Sequence, residues 1–229
     1  MSEYIHLDLF SGLQGWRTNE EICYVGIDND PKFDNTITND IRRVSLTDIS
    51  HAFGDKWCKY PLLITNSPVC TGFTVMQIGR NWNKCPDTGM LTAKTDTARL
   101  GLDLLHRSIA LIEAIRAVYP LPVYWITENP RAAMRKMPIV QDLNRRTVTY
   151  CQYGETRQKP TDLWMCDFLF DEVPWIEPCK RGSPCHTPAP RGSYTGTQGM
   201  GKAESAKIPS QLSYAVAKAV LERGLADGN

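Results

Sequence analysis

Four short apolar runs, near residues 4–9, 22–27, 61–66 and 122–127, alternate along the chain with segments that can be helical. Strands that are separated by helical connections pair in parallel, and the helices then cover both faces of the sheet. This pattern predicts an α/β fold with a doubly wound parallel sheet. In such sheets the chemistry lies at the carboxyl ends of the strands.

The strongest helix signal runs from about Thr97 to Val118. Its apolar side chains recur at three- and four-residue spacing, namely Leu102, Leu105, Ile109 and Ile112. That spacing is typical of a helix that packs one apolar stripe on a sheet, and Tyr119-Pro120 ends it.

The length, charge and hydropathy of the chain indicate a single-core protein without a membrane span or a strong overall charge. The chain has 229 residues, of which 42% are hydrophobic, with 25 acidic and 26 basic side chains. One good core is therefore possible, and attraction to nucleic acid must come from clustered rather than total charge. No run approaches a membrane span and no charged-then-apolar leader is present, so we expect a cytoplasmic protein with reduced cysteines, acting as a monomer.

Cys70 is the first candidate for chemistry, because it follows the apolar run 61–64 and lies between Pro68 and Gly72. A cysteine after a strand is by itself more often a small buried hydrophobe. Three other segments favour a reactive thiol. They are a glycine-containing turn after the first strand (Asp8–Gly15), a carboxylate after the second (Asp28, with Asp30 as competitor), and the run Glu128-Asn129-Pro130 after the fourth.

In this order and at these spacings, the segments resemble the DNA (cytosine-5) methyltransferase family. Residues 8–12 are similar to its cofactor motif, residues 68–73 to its nucleophile loop, and Glu128-Asn129-Pro130 to its Glu-Asn-Val motif. The resemblance covers residues 4–164 and 205–222 and is closest to short bacterial and phage members. It implies a Rossmann-like class I fold that binds S-adenosylmethionine and methylates cytosine in double-stranded DNA.

The resemblance also implies roles for individual residues. The catalytic set is Cys70, Glu128, Asn129 and Arg157, with Cys70 adding to carbon 6 of a flipped-out cytosine. The residues expected to bind the cofactor are Asp8, Phe10, Ser11, Gly12, Gly15, Trp16, Asp28, Asp40, Pro68 and Ser210. The residues expected to contact DNA are Arg80, Arg99, Lys159, Arg191 and Gln198. The family's paired arginines are not both present, and Arg157, Gln158 and Lys159 stand in their place.

The resemblance to this family divides the chain into three parts. Residues 1–164 form the catalytic and cofactor-binding domain, residues 165–204 a reduced target-recognition segment, and residues 205–229 a helix that returns to the catalytic domain, with Ser210 as its cap. The polar stretch from Val75 to Asp96 is expected to be a long mobile loop that closes over the extruded base.

Cys179-x5-Cys185-His186 invites a zinc interpretation, with Cys166 as a fourth ligand. The spacing is irregular and no Cys-x2-Cys arm exists, so no metal is expected. Cys151, which adjoins aromatic residues, is interpreted as a core filler.

Rival functions remain open. A tRNA cytosine-5 methyltransferase needs the same catalytic residues, a non-catalytic nucleic-acid-binding relative needs only the fold, and a third enzyme could use another one-carbon donor. Cys70 and Glu128 argue against the second, and the Asp8–Gly15 turn argues against the third. No side chain can be assigned as the acceptor of the C5 proton.

Overall fold

The computed structural model describes residues 4–75, 78–187 and 202–227. Its strands are β1 (Ile5–Leu9), β2 (Tyr24–Asp28), β3 (Ile37–Thr38), β4 (Leu62–Asn66), β5 (Trp82–Lys84), β6 (Leu91–Ala93), β7 (Val123–Pro130), β8 (Asn144–Thr149) and β9 (Pro160–Met165). Its helices are α1 (Leu46–Phe53), α2 (Ile78–Asn81), α3 (Asp96–Val118), α4 (Pro138–Gln141), α5 (Asp167–Glu172), α6 (Lys202–Ala206) and α7 (Ser210–Asp227).

The main sheet has seven strands in the order β3-β2-β1-β4-β7-β9-β8. The first five in this order are parallel, so the carboxyl ends of β1, β2, β4 and β7 meet at one edge. The predicted Rossmann-like α/β fold is confirmed. The sequence pattern did not predict β9, which runs antiparallel between β7 and β8.

Helices cover both faces of the sheet because its side chains alternate between them. Along β4, Leu62 and Ile64 pack into one core cluster and Leu63 into the other. The first cluster also contains residues of α1 and α3, and the second contains residues of α5 and α7. Among the described helices, none combines the length and hydropathy needed to cross a membrane.

The long predicted helix is confirmed as α3. Thr95 caps its start, since the Thr95 hydroxyl accepts a hydrogen bond from the Ala98 N–H at 3.3 Å. The C-terminal helix is also present, but Ser210 is its first helical residue rather than its cap.

The stretch from Val75 to Asp96 is not a long irregular loop where the structure describes it. After α2 it forms the antiparallel hairpin β5–β6. Trp82 anchors this hairpin, because its ring stacks on Phe73 at 5.6 Å and its indole N–H donates to the Gly72 carbonyl at 2.8 Å. The polar composition of this stretch did not indicate that Trp82 and Leu91 are buried and join the hairpin to the core.

Candidate active site

Cys70 lies at the carboxyl end of β4 and begins a single 3-10 turn, Cys70–Gly72. The turn packs tightly on the start of α3. A Cβ atom at Gly72 would lie only 3.0 Å from the Thr97 carbonyl oxygen, so a larger residue there would require the backbone at the start of α3 to shift by a few tenths of an ångström. The cysteine is therefore held on a fixed loop, where it remains partly accessible.

Asn129 joins this loop to the neighbouring strand. It lies on β7, is fully buried, and donates from its side-chain amide to the Pro68 carbonyl at 2.8 Å. A buried amide hydrogen bond of this kind fixes the position of a loop, because breaking it leaves a buried carbonyl unpaired. Asn129 thus sets the distance between the Cys70 loop and β7.

Glu128 precedes Asn129 and is also buried. Its Oε1 accepts a hydrogen bond from the Tyr150 hydroxyl at 2.9 Å and lies 3.8 Å from the Lys159 ammonium nitrogen. That ammonium also lies 4.5 Å from the centre of the Tyr150 ring, within the range of a cation–π contact. A carboxylate, a phenol and an ammonium group therefore share one buried space.

The electrostatics of Cys70 connect it to this group. Burial raises the pKa of the Cys70 thiol, the Glu128 carboxylate raises this pKa further, and the Lys159 ammonium lowers it. The thiol is therefore protonated at neutral pH in the free protein. Burial also lowers the pKa of Lys159, while the Glu128 charge opposes that change. Thiol, acid and cation interact at the carboxyl ends of β4 and β7.

Arg157 and Lys159 are both buried and contact groups of the protein. The Arg157 guanidinium is buried and donates to the carbonyls of Ser205 at 2.8 Å and Lys207 at 2.9 Å, so it holds the link between α6 and α7. Lys159, expected to contact DNA, is buried beside Glu128. Tyr150 was missed altogether, because nothing in its sequence neighbourhood distinguishes it from a core aromatic residue.

The turn after β1 brings its backbone close to the end of β2. Phe10, Gly12 and Gln14 all have positive φ, at 62°, 46° and 54°. The Gly12 N–H donates to Asp28 Oδ2 at 3.0 Å, and Asp28 Oδ1 accepts from the Asp30 N–H at 2.9 Å. The Asp28 carboxylate is half-buried, and each of its oxygens has a second lone pair for a ligand.

Other predicted cofactor residues surround this turn. The Ser11 hydroxyl donates to Asn35 Oδ1 at 2.6 Å. Gly15 packs on the chain just before α7, since a Cβ there would lie 2.8 Å from the Ile208 nitrogen. A surface groove of about 620 Å³ runs between this turn and the start of α7, with Gly15 and Ser210 in its lining. Asp28 is not among the residues that line the groove.

Asp40 is engaged elsewhere. It pairs with Arg42, and this hydrogen-bonded guanidinium is the main reason that its pKa falls to about 2.

Pro68, also expected to bind the cofactor, is buried, and its carbonyl accepts a hydrogen bond from the Asn129 side chain.

Trp16 and Asp8 are both buried and hydrogen-bond to protein side chains. The Trp16 indole N–H donates to the Ser67 hydroxyl at 3.0 Å. Asp8 points to the opposite side of β1 from Leu7 and Leu9, where its carboxylate accepts from Thr65 at 2.7 Å and Tyr24 at 2.8 Å. His6 completes this network through a 2.8 Å contact with Thr65. Two-residue alternation along the strand decides this placement.

Asp8 carries a prediction about pH. Burial raises its pKa from 3.8 to about 7, against the lowering effect of its two hydrogen bonds. The folded state thus favours the protonated form, and the stability contributed by this group falls as pH rises from about 4 to about 7. Asp8→Asn removes this titration. We therefore expect the free energy of unfolding of the variant, relative to wild type, to rise across that window by up to about 4 kcal/mol.

Urea unfolding at several pH values between 4 and 8 measures this difference. His6, whose pKa is lowered to about 3 by burial, contributes an opposite slope in both proteins, so the comparison removes it. Asp171→Asn, at an exposed carboxylate of α5, is the matched control and should follow wild type. Parallel curves for Asp8→Asn and wild type would show that Asp8 does not titrate as described.

The residues expected to contact DNA are dispersed. Arg80 is exposed at the end of α2, and Arg99 is exposed on α3, where it pairs with Asp96 at 2.6 Å. Both lie on segments that follow the Cys70 loop. Arg191 and Gln198 lie outside the residues that the structure describes.

No protein-family model and no curated protein matches the chain in sequence. The chain is similar to the S. pombe Dnmt2 methyltransferase, with 19% identity over 70% of this chain and 49% of the other, and a TM-score of 0.40. It is similar to an E. coli protein described as a DNA modification methyltransferase encoded within a prophage, with 14% identity, coverage of 72% and 46%, and a TM-score of 0.46. It is also similar to a mutant of Spodoptera frugiperda DNMT2, with 13% identity over 78% of this chain and 54% of the other, and a TM-score of 0.43. The chain spans about half the length of these structures.

Proposed function

We propose that this protein is a cytosine-5 methyltransferase that uses S-adenosylmethionine and acts on DNA. The observation that carries the proposal is the convergence of the Cys70 thiol, the Glu128 carboxylate and the Lys159 ammonium at the carboxyl ends of β4 and β7. This is the edge at which an open α/β sheet binds its ligands. A thiol, an acid and a cation are the groups needed to activate a cytosine ring.

Carbon 5 of cytosine is a poor nucleophile until carbon 6 carries an added group. Cys70 gives its proton to solvent water and its sulfur bonds to carbon 6, which moves the electron pair of the 5,6 double bond onto carbon 5. Lys159 favours the thiolate because its positive charge lowers the pKa of Cys70. Carbon 5 would then bond to the methyl group as the methyl–sulfur bond of the donor breaks. A base would remove the C5 proton, whose electron pair re-forms the 5,6 double bond while the bond from carbon 6 to sulfur breaks and releases the thiolate.

Glu128 is assigned to the Watson–Crick edge of the base. The Tyr150 and Lys159 contacts both engage Oε1, so Oε2 is the oxygen assigned to N3 and the exocyclic amine. Sharing a proton with N3 makes the ring a better electron acceptor, so addition of the thiolate becomes easier. Asn129 and Arg157 are positioning residues in this scheme, since one holds the Cys70 loop and the other holds the chain before α7.

The residues at the ends of β1 and β2 suit S-adenosylmethionine. The Asp28 carboxylate, held by the Gly12 and Asp30 N–H groups, is an acceptor for ribose hydroxyls. The tight turn at Gly12 leaves backbone close to that carboxylate, as a nucleoside site requires. When bound, S-adenosylmethionine supplies the electrophilic methyl group. Asp40 is a weaker candidate for the adenine amine because Arg42 already occupies it.

A base within a duplex must be flipped out to reach Cys70, at a cost of a few kcal/mol. We assign the space-filling role to the segment between Val75 and Asp96, which follows Cys70 and carries the exposed Arg80. Sequence recognition is assigned to residues 165–204, and the catalytic domain to residues 1–164.

The function is tested by transfer of labelled methyl groups from S-adenosylmethionine to double-stranded DNA and to tRNA in parallel. We expect label in DNA, at cytosine C5, with sequence context given by bisulfite sequencing. Transfer to tRNA alone would assign the enzyme to RNA. No transfer to either by folded protein that binds S-adenosylmethionine would favour a non-catalytic relative.

Asp28→Ala should weaken S-adenosylmethionine binding while leaving DNA binding by the apo-protein intact. Loss of a charge-assisted hydrogen bond costs about 1.5–3 kcal/mol, or roughly 10- to 150-fold in Kd. Isothermal titration measures this change. Asp30→Ala is the matched control and is expected to stay within about threefold of wild type. If Asp30→Ala has the larger effect, the ribose carboxylate is Asp30; equal loss of both ligands in Asp28→Ala would indicate a damaged fold.

A further inference from the structure

Four metal-ligating side chains meet outside the candidate active site: Cys151, Cys179, Cys185 and His186. Their three sulfur atoms and one imidazole nitrogen all lie within 4.8 Å of one another. Cys151 lies in the 3-10 turn Tyr150–Tyr153 after β8, whereas the other three follow α5 in a segment without helix or strand. The cluster therefore joins parts of the chain that are 28 residues or more apart.

The separations of the ligand atoms lie within about 0.6 Å of those around one tetrahedral zinc ion. Bond lengths of about 2.3 Å to sulfur and 2.0–2.1 Å to nitrogen place two sulfurs about 3.8 Å apart, and sulfur about 3.6 Å from nitrogen. Cys151 Sγ lies 3.7 Å from Cys185 Sγ and 3.2 Å from Cys179 Sγ. His186 Nδ1 lies 3.5 Å from both Cys179 Sγ and Cys185 Sγ. A disulfide would require two of the sulfurs at about 2.05 Å.

Polar groups around the cluster suit thiolate ligands. The Gln158 amide donates to Cys179 Sγ at 3.3 Å and to the Cys179 carbonyl at 3.2 Å. The Gln152 amide contacts Cys185 Sγ at 3.5 Å, and the Cys179 N–H donates to the Thr149 hydroxyl at 3.0 Å. Donors to the ligand sulfurs stabilise their negative charge and orient them toward a metal.

We propose that Cys151, Cys179, Cys185 and His186 bind one structural zinc ion. Three cysteines and one histidine form a closed ligand set, which leaves no position for a substrate or a catalytic water. The fourth ligand is Cys151 and not Cys166, which lies beyond the opposite end of β9, about 20 Å along the strand. Sequence spacing suggested three of the ligands and could not supply the fourth.

The ion has a defined structural task. Cys151 is adjacent to Tyr150, which contacts Glu128, and Gln158 lies between Arg157 and Lys159. On the other side, Thr187 closes the segment by donating its N–H to the Thr156 carbonyl at 2.8 Å. The zinc thus fixes the segment 179–187 to the wall of the Glu128 site. That segment is part of residues 165–204, to which sequence recognition is assigned.

Metal content of the full chain, purified under reducing conditions without chelator from zinc-supplemented cells, tests the site directly. We expect about one zinc per chain in wild type and in Cys166→Ser, the matched control. Cys151→Ser and Cys179→Ser should each lose most of the metal. Cobalt substitution of wild type should give tetrahedral visible bands and a thiolate charge-transfer band whose intensity corresponds to three sulfurs.

Wild-type protein alone keeps the test decisive if the ligand variants do not fold. Titration with a mercurial should release about one zinc as the cluster thiols react, read with a zinc-binding dye. Metal-free wild type, stoichiometric iron, or a Cys151–Cys179 disulfide in the peptide map would overturn the proposal. So would loss of zinc from Cys166→Ser with retention in Cys151→Ser. Because no substrate is used, the outcome is independent of the methyltransferase proposal.

Discussion

Cys70→Ala is expected to abolish methyl transfer, by at least about a thousandfold, while the affinity for S-adenosylmethionine changes little. The reason is that the thiol bonds to the base and is separate from the Asp28 region, so its loss removes the covalent step and leaves nucleoside binding. Cys70→Ser should be nearly as inactive, because an alkoxide is far less accessible at neutral pH than a thiolate. Single-turnover transfer to DNA and isothermal titration of the cofactor measure the two quantities.

Cys166→Ser is the control for loss of a partly buried thiol elsewhere, and we expect it to retain wild-type transfer. Turnover by Cys70→Ala within tenfold of wild type would exclude Cys70 as the nucleophile. A parallel fall in cofactor affinity would instead indicate that the variant has disturbed the turn after β4.

Glu128→Gln is expected to slow formation of a covalent adduct with DNA that contains 5-fluorocytosine by about 10²–10⁴-fold. Fluorine cannot leave carbon 5 as a proton does, so wild-type protein should be trapped through Cys70. A neutral amide cannot share a proton with N3, so addition of the thiolate slows. Denaturing gels give the rate of trapping, and mass spectrometry of the DNA-linked peptide gives the attachment site.

Two features of the buried group shape this experiment. Glu128→Gln leaves the Lys159 ammonium buried without its counter-charge, so the variant should also be less stable, and trapping must be measured below its unfolding temperature. Tyr150→Phe is the comparison, since it removes the hydroxyl that donates to Oε1 but keeps the Glu128 carboxyl group, and it should slow trapping less. Trapping of Glu128→Gln at the wild-type rate, or attachment to another cysteine, would contradict the mechanism.

Local patterns in the sequence determined the frame of the molecule. Apolar runs bounded by glycine, proline and acidic residues located β1, β2, β4 and β7, and the three- and four-residue spacing located α3. Once those strands are parallel, the carboxyl ends that carry Cys70, Asp28 and Glu128 must share one edge of the sheet. These features were predictable because each depends on residues that are close together in the chain.

Features that depend on distant partners were decided only by the tertiary structure. The sequence alone suggests that Lys159 is a surface cation. In the structure β9 pairs antiparallel with β7, and Lys159, just before β9, is buried against Glu128. The hydrogen bonds that the Asp8 carboxylate accepts from Thr65 and Tyr24 also depend on partners that the local sequence does not identify.

The Cys151 cluster shows the same limit of sequence reading. The sequence alone suggests that Cys151 is a core residue. In the structure the chain after α5 brings Cys179, Cys185 and His186 next to it. The physical reason is common to all of these cases. The state of a charged or metal-ligating side chain is set by its burial and its neighbours, and those neighbours are brought together by chain topology rather than by sequence spacing.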